Sequence, residues 1–162
     1  ARAAPTVLTP HPGEAAVLLG CSPAEINRDR LAAARALAQE TGAVVVLKGA
    51  ATVTAEPGGT CVVNATGGPS LATGGTGDVL TGVVVGLLGQ GAGAFEAGAL
   101  GAFIHGWAAD RLAARSGSSG VLAGDLASEI PAAMMMLRES LRGTASPPVL
   151  GGSDGIAFPE PR

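Results

Sequence analysis

Five consecutive apolar residues, Ala43-Val44-Val45-Val46-Leu47, constrain this chain more than any other stretch. A strand alternates its side chains between two faces, so an unbroken apolar run leaves no face for water. Such a run fits a sheet covered by helices on both sides. It stops abruptly at Lys48-Gly49. Thr6 to Thr9 is a second, short β-type run. Thr52-Val53-Thr54 and Cys61-Val62-Val63 flank the turn residues Pro57-Gly58-Gly59 and read as a hairpin.

Helices are expected around these strands. Glu14 to Leu19 follows a rigid Pro10-His11-Pro12 loop and closes at Gly20. Ser22-Pro23-Ala24-Glu25 is a capping box with proline at the first helical position. It predicts one long helix to about Glu40, with Ile26, Leu31 and Leu37 inward and Arg28, Arg30 and Arg35 on wetter faces. Further helices are expected from Thr76 to about Leu88, Ala94 to about Ala114, and Ala123 to Leu141. Asp125 reads as a helix N-terminal charge, and Arg138 and Arg142 suit the negative C-terminal end. The fold class is α/β, a layered sheet flanked by helices. Four strands against five helices make an incomplete sheet, which predicts further strand–helix units ahead of Ala1. Residues 143–162 are rich in Gly, Pro and Ser and read as a flexible tail.

Composition narrows the function. The chain has 162 residues, 47% hydrophobic and 14% charged, which is enough apolar material for a core in one domain. Aromatic residues are only 2%, so the core rests on Val, Leu and Ala, and base-stacking platforms for single-stranded nucleic acid are lacking. The net charge of -3 carries no polybasic surface for nucleic acid or acidic lipid. Apolar stretches are too short, or too charged, to span a bilayer. Cys21 and Cys61 read as reduced thiols, and no leader segment is visible, so a cytoplasmic protein is expected. Ala- and Gly-rich helices suit close packing across a homo-oligomer interface.

The chemistry concentrates in Ala72-Thr73-Gly74-Gly75-Thr76-Gly77-Asp78-Val79-Leu80-Thr81-Gly82. Glycines at a helix start free backbone N–H groups to bind an anion, typically phosphate. The segment is not a Walker A loop, because no Gly-Lys-Ser/Thr follows. Asp78 has two readings that spacing alone leaves even. It is a first-turn capping charge, or a general base that takes a proton from an attacking hydroxyl. Lys48 is the sole lysine of the chain. After a strand it reads first as a surface residue, and His11 as a loop histidine packed between prolines. His105 and Trp107 lie in an apolar helix and read as core, as does Met134-Met135-Met136. No Cys/His cluster has zinc spacing.

Three pieces in order carry a family resemblance. They are Leu8-Thr9-Pro10-His11-Pro12-Gly13-Glu14, Val46-Leu47-Lys48-Gly49-Ala50-Ala51-Thr52, and Asn64-Ala65-Thr66-Gly67 leading into Thr73 to Gly82. Together they resemble the ADP-dependent NAD(P)H-hydrate dehydratases of the ribokinase-like superfamily. The resemblance implies a C-terminal portion of that layered fold in residues 1–142, without its N-terminal strand–helix units. It implies repair of hydrated NADH or NADPH (NADHX or NADPHX). The C6 hydroxyl is phosphorylated from ADP, phosphate is lost, and NAD(P)H, AMP and phosphate result, with Mg²⁺ as the usual companion of the nucleotide. By the same resemblance His11 and Asp78 contact the hydrated dinucleotide, and Asp78 acts as base. Lys48, Gly49, Ala50, Ala51, Thr52 and Gly77 hold the adenine nucleotide. Gly74, Gly75, Thr76 and Gly77 form the anion hole, and no protein metal ligand is implied. One stretch departs from the family pattern, with Gly68-Pro69-Ser70-Leu71 where Asn-Pro-Gly-Met is usual. Two other readings stay open here: a ribokinase-like kinase of a small alcohol, and a nucleotide-binding module without turnover.

Overall fold

The computed structural model describes residues 4–143. The expected tail, 143–162, lies outside these residues apart from Gly143. Strands β1 (Val7–Leu8), β2 (Val44–Leu47), β3 (Val53–Ala55) and β4 (Cys61–Val63) form one sheet in sequence order. β1 runs parallel to β2, with Val7 opposite Val44. β2 to β4 are antiparallel, so the expected hairpin is present as β3 and β4, with Val53 opposite Val63. All four residues of β2 are buried, as its unbroken apolar run requires.

The two faces of β2 carry different helices. Val45 and Leu47 join Val53 and Ala55 against α1 (Pro12–Leu19), α2 (Pro23–Arg28) and α3 (Arg30–Thr41). Val46 packs on the other side, against Leu80, Val84 and Leu87 of α4 (Thr76–Gly89) and Ala97 and Ala102 of α5 (Ala94–Ser116). Gly98 of α5 lies directly over the sheet, where a β-carbon would stand 3.0 Å from Val46 Cγ2 and 3.2 Å from Thr54 Cγ2. The last helix, α6 (Ala123–Leu141), packs on α5 through Leu126, Ile130 and Ala133. Asp125 accepts the Leu122 amide at its start, the capping role expected of it. Among the described residues no helix is long and apolar enough to cross a membrane.

One expected helix is two. The Ser22 capping box forms as expected, with Glu25 reaching back to the Ser22 amide at 2.8 Å. The helix then stops at Asp29, which leaves the helical region (φ -146°, ψ 83°) and caps the next helix by accepting the Ala32 amide at 2.9 Å. A short carboxylate that bonds its own following backbone competes with helix continuation, and here it wins. The break also reorients Arg30. The residue expected on a wet face is partly buried, and its guanidinium points at the end of β2.

Candidate functional site

Parallel strands end in β-carbonyls and loops, and in layered α/β folds ligands bind there. The C-terminal ends of β1 and β2 are tied together by a bond from the Lys48 amide to the Pro10 carbonyl, 2.8 Å. Beside them opens a cleft of about 660 Å³. Its walls bring together residues from three separate stretches of sequence. His11 and Pro12 come from the first, Lys48 to Thr52 from the second, and Asn64 to Ala72 with Thr76 and Gly77 from the third. The floor includes His105 of α5.

The β1 end is a capping structure. His11 is the N-cap of α1, with Nδ1 accepting the Glu14 amide at 3.0 Å and Glu14 Oε2 accepting the His11 amide at 2.7 Å. Because Nδ1 accepts, the proton of a neutral His11 ring sits on Nε2. Glu14 also faces Lys48, with Oε2 3.9 Å from Nζ. One carboxylate thus stands between the two cationic or polar side chains at the mouth.

The β2 end is a strained turn. Gly49 has φ 139° and Ala51 has φ 53°, the only non-glycine residue with positive φ among those described. Such a conformation costs an alanine free energy and persists where the surroundings enforce it. Arg30 supplies part of that enforcement. It donates from Nη2 to the carbonyls of Leu47 and Lys48, both at 2.9 Å. A β-carbon on Gly49 would lie 2.5 Å from Arg30 Nη1, so glycine and guanidinium are interlocked. Thr52 closes the turn by donating to the Gly49 carbonyl at 3.1 Å.

The opposite wall is the glycine-rich turn. Among the described residues the amides of Gly74, Gly75 and Gly77 have no hydrogen-bond acceptor. Those of Thr76 and Asp78 are turned to the carbonyls of Thr73 (3.4 Å) and Gly75 (3.1 Å). The Thr76 hydroxyl donates within this turn, toward the carbonyls of Leu71 (2.8 Å) and Thr73 (2.9 Å). Its carbonyl meets His105 Nε2 at 2.8 Å. Lys48 reaches across, and a β-carbon on Gly77 would stand 3.0 Å from its Nζ. Asp78 is exposed in the first turn of α4 and is not part of the cleft wall. Its carboxylate makes no hydrogen bond among the described residues, so it caps no amide, while its charge stands in the first turn of α4 where the helix dipole favours it. Gly74 and Gly75 likewise stand outside the lining.

Asn64 and Thr66 belong to the third resembling stretch, but their long-range partners, like the roles of Asp110 and Gly106, carried no signal in the sequence. Asn64 donates to the carbonyls of Thr66 (2.9 Å) and Ala102 (3.3 Å), and the buried Thr66 hydroxyl reaches the Phe103 carbonyl at 2.9 Å. Asp110 accepts the Gly67 amide at 2.8 Å, and burial raises its pKa against the lowering effect of that bond. Gly106 permits this docking, because a β-carbon there would lie 2.4 Å from Thr66 Oγ1. His105 is buried as expected of a core residue, yet it also lines the cleft. Desolvation lowers its pKa, the Thr76 bond opposes that, and the nearby Lys48 charge lowers it further. Pro69 and Leu71, in the stretch that departs from the family pattern, line the cleft, while the Ser70 hydroxyl is buried without a partner.

No three His, Cys, Asp or Glu side chains converge as a metal-binding group among the described residues. Mg²⁺ at phosphoryl-transfer sites is held by one or two carboxylates together with nucleotide phosphates and water. Glu14, 3.9 Å from the lining Lys48, and Asp78, next in sequence to the lining Gly77, are carboxylates of this kind, so the donor set suits an ion that arrives on a nucleotide.

Comparison with known proteins bears on the family and the fold. The family model for NAD(P)H-hydrate dehydratase matches residues 1–132. The chain is 50% identical over 137 residues to the bifunctional NAD(P)H-hydrate repair enzyme Nnr of Moorella thermoacetica, covering 85% of this chain and 26% of that protein. It is 47% identical over 135 residues to the ADP-dependent (S)-NAD(P)H-hydrate dehydratase of Neisseria meningitidis, covering 83% of this chain and 45% of that one. Among solved structures, the ADP/ATP-dependent NAD(P)H-hydrate dehydratase of Bacillus subtilis, co-crystallised with ATP/Mg²⁺, superimposes with a TM-score of 0.80 at 36% identity. That match covers 83% of this chain and 49% of the Bacillus chain. The chain therefore spans less than half the length of each of these relatives.

Proposed function

The chain belongs to the NAD(P)H-hydrate dehydratase family, and from that premise we propose that it carries the nucleotide and base machinery of nicotinamide nucleotide repair. In this reading residues 1–142 form the C-terminal portion of a ribokinase-like domain. The substrates are NADHX or NADPHX and ADP, and the products are NADH or NADPH, AMP and phosphate.

The observation that supports it is a juxtaposition. Gly77, its amide unpartnered among the described residues, lines the cleft beside the Lys48 Nζ, and the unpartnered amides of Gly74 and Gly75 and the uncommitted Asp78 flank it in sequence. Phosphoryl transfer needs this set: donors and positive charge around the moving phosphate, and a base near the attacking hydroxyl. In the proposed reaction the C6 hydroxyl attacks the β-phosphorus of ADP, and Asp78 accepts its proton. The bond from that phosphorus to the oxygen bridging to the α-phosphate breaks, and AMP leaves. Phosphate then leaves C6 as C5 loses a proton, which restores the ring double bond. Lys48 and the amides of Gly74, Gly75 and Gly77 stabilise charge on the transferring group. The Gly49 to Thr52 turn cradles the nucleotide, and His11 presents its ring to the dinucleotide. Glu14 and Asp78 would hold Mg²⁺ arriving with the nucleotide, and the ion would supply neutralisation of phosphate charge.

The test uses the complete protein that carries this chain. Incubation with hydrated NADH and ADP should regenerate the NADH absorbance band, with AMP and phosphate released. No recovery, with phosphate transferred to a small alcohol instead, would replace this reading with a kinase. Asp78→Ala should lower turnover by roughly 100-fold or more while nucleotide binding is kept. Unchanged turnover would remove Asp78 from the role of base.

A further inference from the structure

The Thr76 carbonyl and the Gly77 amide belong to one peptide unit. The unit is planar and trans, and no cis bond occurs among the described residues, so its C=O and N–H point in opposite directions. Whatever grips the carbonyl therefore aims the amide. His105 Nε2 meets that carbonyl at 2.8 Å. A carbonyl can only accept, so Nε2 must carry the proton and donate. The Gly77 amide at the other end of the plane has no acceptor among the described residues, Gly77 lines the cleft, and a β-carbon on it would stand 3.0 Å from Lys48 Nζ.

We propose that His105 is a positioning residue that aims the Gly77 amide into the cleft and strengthens it as a donor. The proposal rests on the reading above, in which that amide meets the nucleotide phosphates. Donation to one end of a peptide polarises it and makes its N–H a better donor at the other. A core position on an apolar helix would be filled equally well by leucine, whereas a buried imidazole must find a polar partner. The grip is rigid. Thr76 is pinned through its hydroxyl to the carbonyls of Leu71 and Thr73. Next to His105, Gly106 seats α5 against Thr66 at contact distance. Neither end of the His105–Thr76 bond can drift without unpacking the other.

The experiment compares the chain with His105→Leu, which removes the donor, and His105→Gln, whose side-chain amide can replace Nε2–H. The first readout needs no ligand: the Gly77 amide proton shift by NMR, with melting curves to establish that each variant is folded. The shift should move in His105→Leu and return toward its original value in His105→Gln. An unmoved Gly77 resonance in folded His105→Leu would overturn the proposal. If the leucine variant does not fold, His105→Gln decides alone, since a Gly77 shift unlike the original would overturn it. The second readout is ADP affinity by calorimetry, expected to fall about tenfold in His105→Leu and to recover in His105→Gln. Equal ADP affinity in all three chains would also overturn the role. Failure of the unaltered chain to bind ADP would count against the functional reading, while the ligand-free shift still decides the positioning.

Discussion

The two walls of the cleft meet an anion by opposite means. The Lys48 to Thr52 wall offers a side-chain ammonium on a strained turn, and that turn is clamped from behind by the guanidinium of Arg30. The Thr73 to Gly77 wall offers no charged side chain to the lining. It presents backbone N–H groups, held by the Thr76 hydroxyl and the His105 ring. A side-chain charge reaches far and tolerates movement. Backbone donors act only at contact and only if their peptide planes are fixed, which explains why the charge-free wall has the denser anchoring. The fastening also reaches back into α5, where the Ala102 and Phe103 carbonyls accept from Asn64 and Thr66 of the approach loop and Asp110 accepts the Gly67 amide.

This contrast can be broken at several points. The largest expected effect is on the charged wall. Lys48→Met should weaken ADP binding roughly 10- to 100-fold, the worth of charge-assisted bonds to phosphate. Titration calorimetry measures it, and a smaller loss would shift the burden to the glycine wall. Next comes the seat of the glycine wall. Gly106→Ala forces a β-carbon against the Thr66 backbone, 2.6 Å from its carbonyl carbon. A stability loss of about 1–3 kcal/mol is expected from denaturant unfolding. The same substitution at Gly82, where nothing lies within 4 Å, should cost nothing and serves as its control.

A change in the opposite direction sharpens the comparison. The Ser70 hydroxyl is buried without a partner between the two walls' connecting segments. Ser70→Ala should raise stability by about 1 kcal/mol, because an unsatisfied buried hydroxyl is removed. A fall in the unfolding midpoint would mean that the hydroxyl is bonded after all. The smallest effect is on pH dependence. Burial lowers the His105 pKa below its ordinary value of 6.5, with Lys48 adding to the lowering. The unfolded chain thus takes up a proton before the folded one does. Stability is full above pH 6.5 and declines as pH falls from there through the lower folded value. Asp110, also on α5, has its pKa raised by burial, so its protonation as pH falls adds stability and opposes the histidine. Comparing unfolding midpoints of the chain and His105→Gln across this range isolates the histidine. Parallel pH curves would show that its ionisation is not linked to folding.

Much of this site was legible before any coordinates. An apolar run with no polar alternation had to be a strand buried on both faces, and Val45 and Val46 do face opposite helices. The glycine spacing before Asp78 marked a turn with free amides, while Lys48 read locally as a surface residue and only the family resemblance set it at the nucleotide. Local chemistry wrote the strand and turn signals, so local reading recovered them. The residues that hold the walls in place left none. Arg30 looked like a solvated helix residue, because nothing in its neighbourhood shows that Asp29 ends one helix and starts another. His105 looked like core, and it is core, but its one polar bond spans 29 residues to Thr76.

By itself, then, the sequence determined the class of fold, the three chemical stretches and the family they resemble. It did so because strand burial, helix caps and glycine turns are encoded over a few residues. Only the tertiary structure decided which amides stay unpartnered and which side chain aims them. It also left Asp78 at the rim, uncommitted, instead of on the wall. Those outcomes depend on contacts between helices and loops far apart in the chain, where a difference of one side chain's reach separates a packed residue from a positioning one.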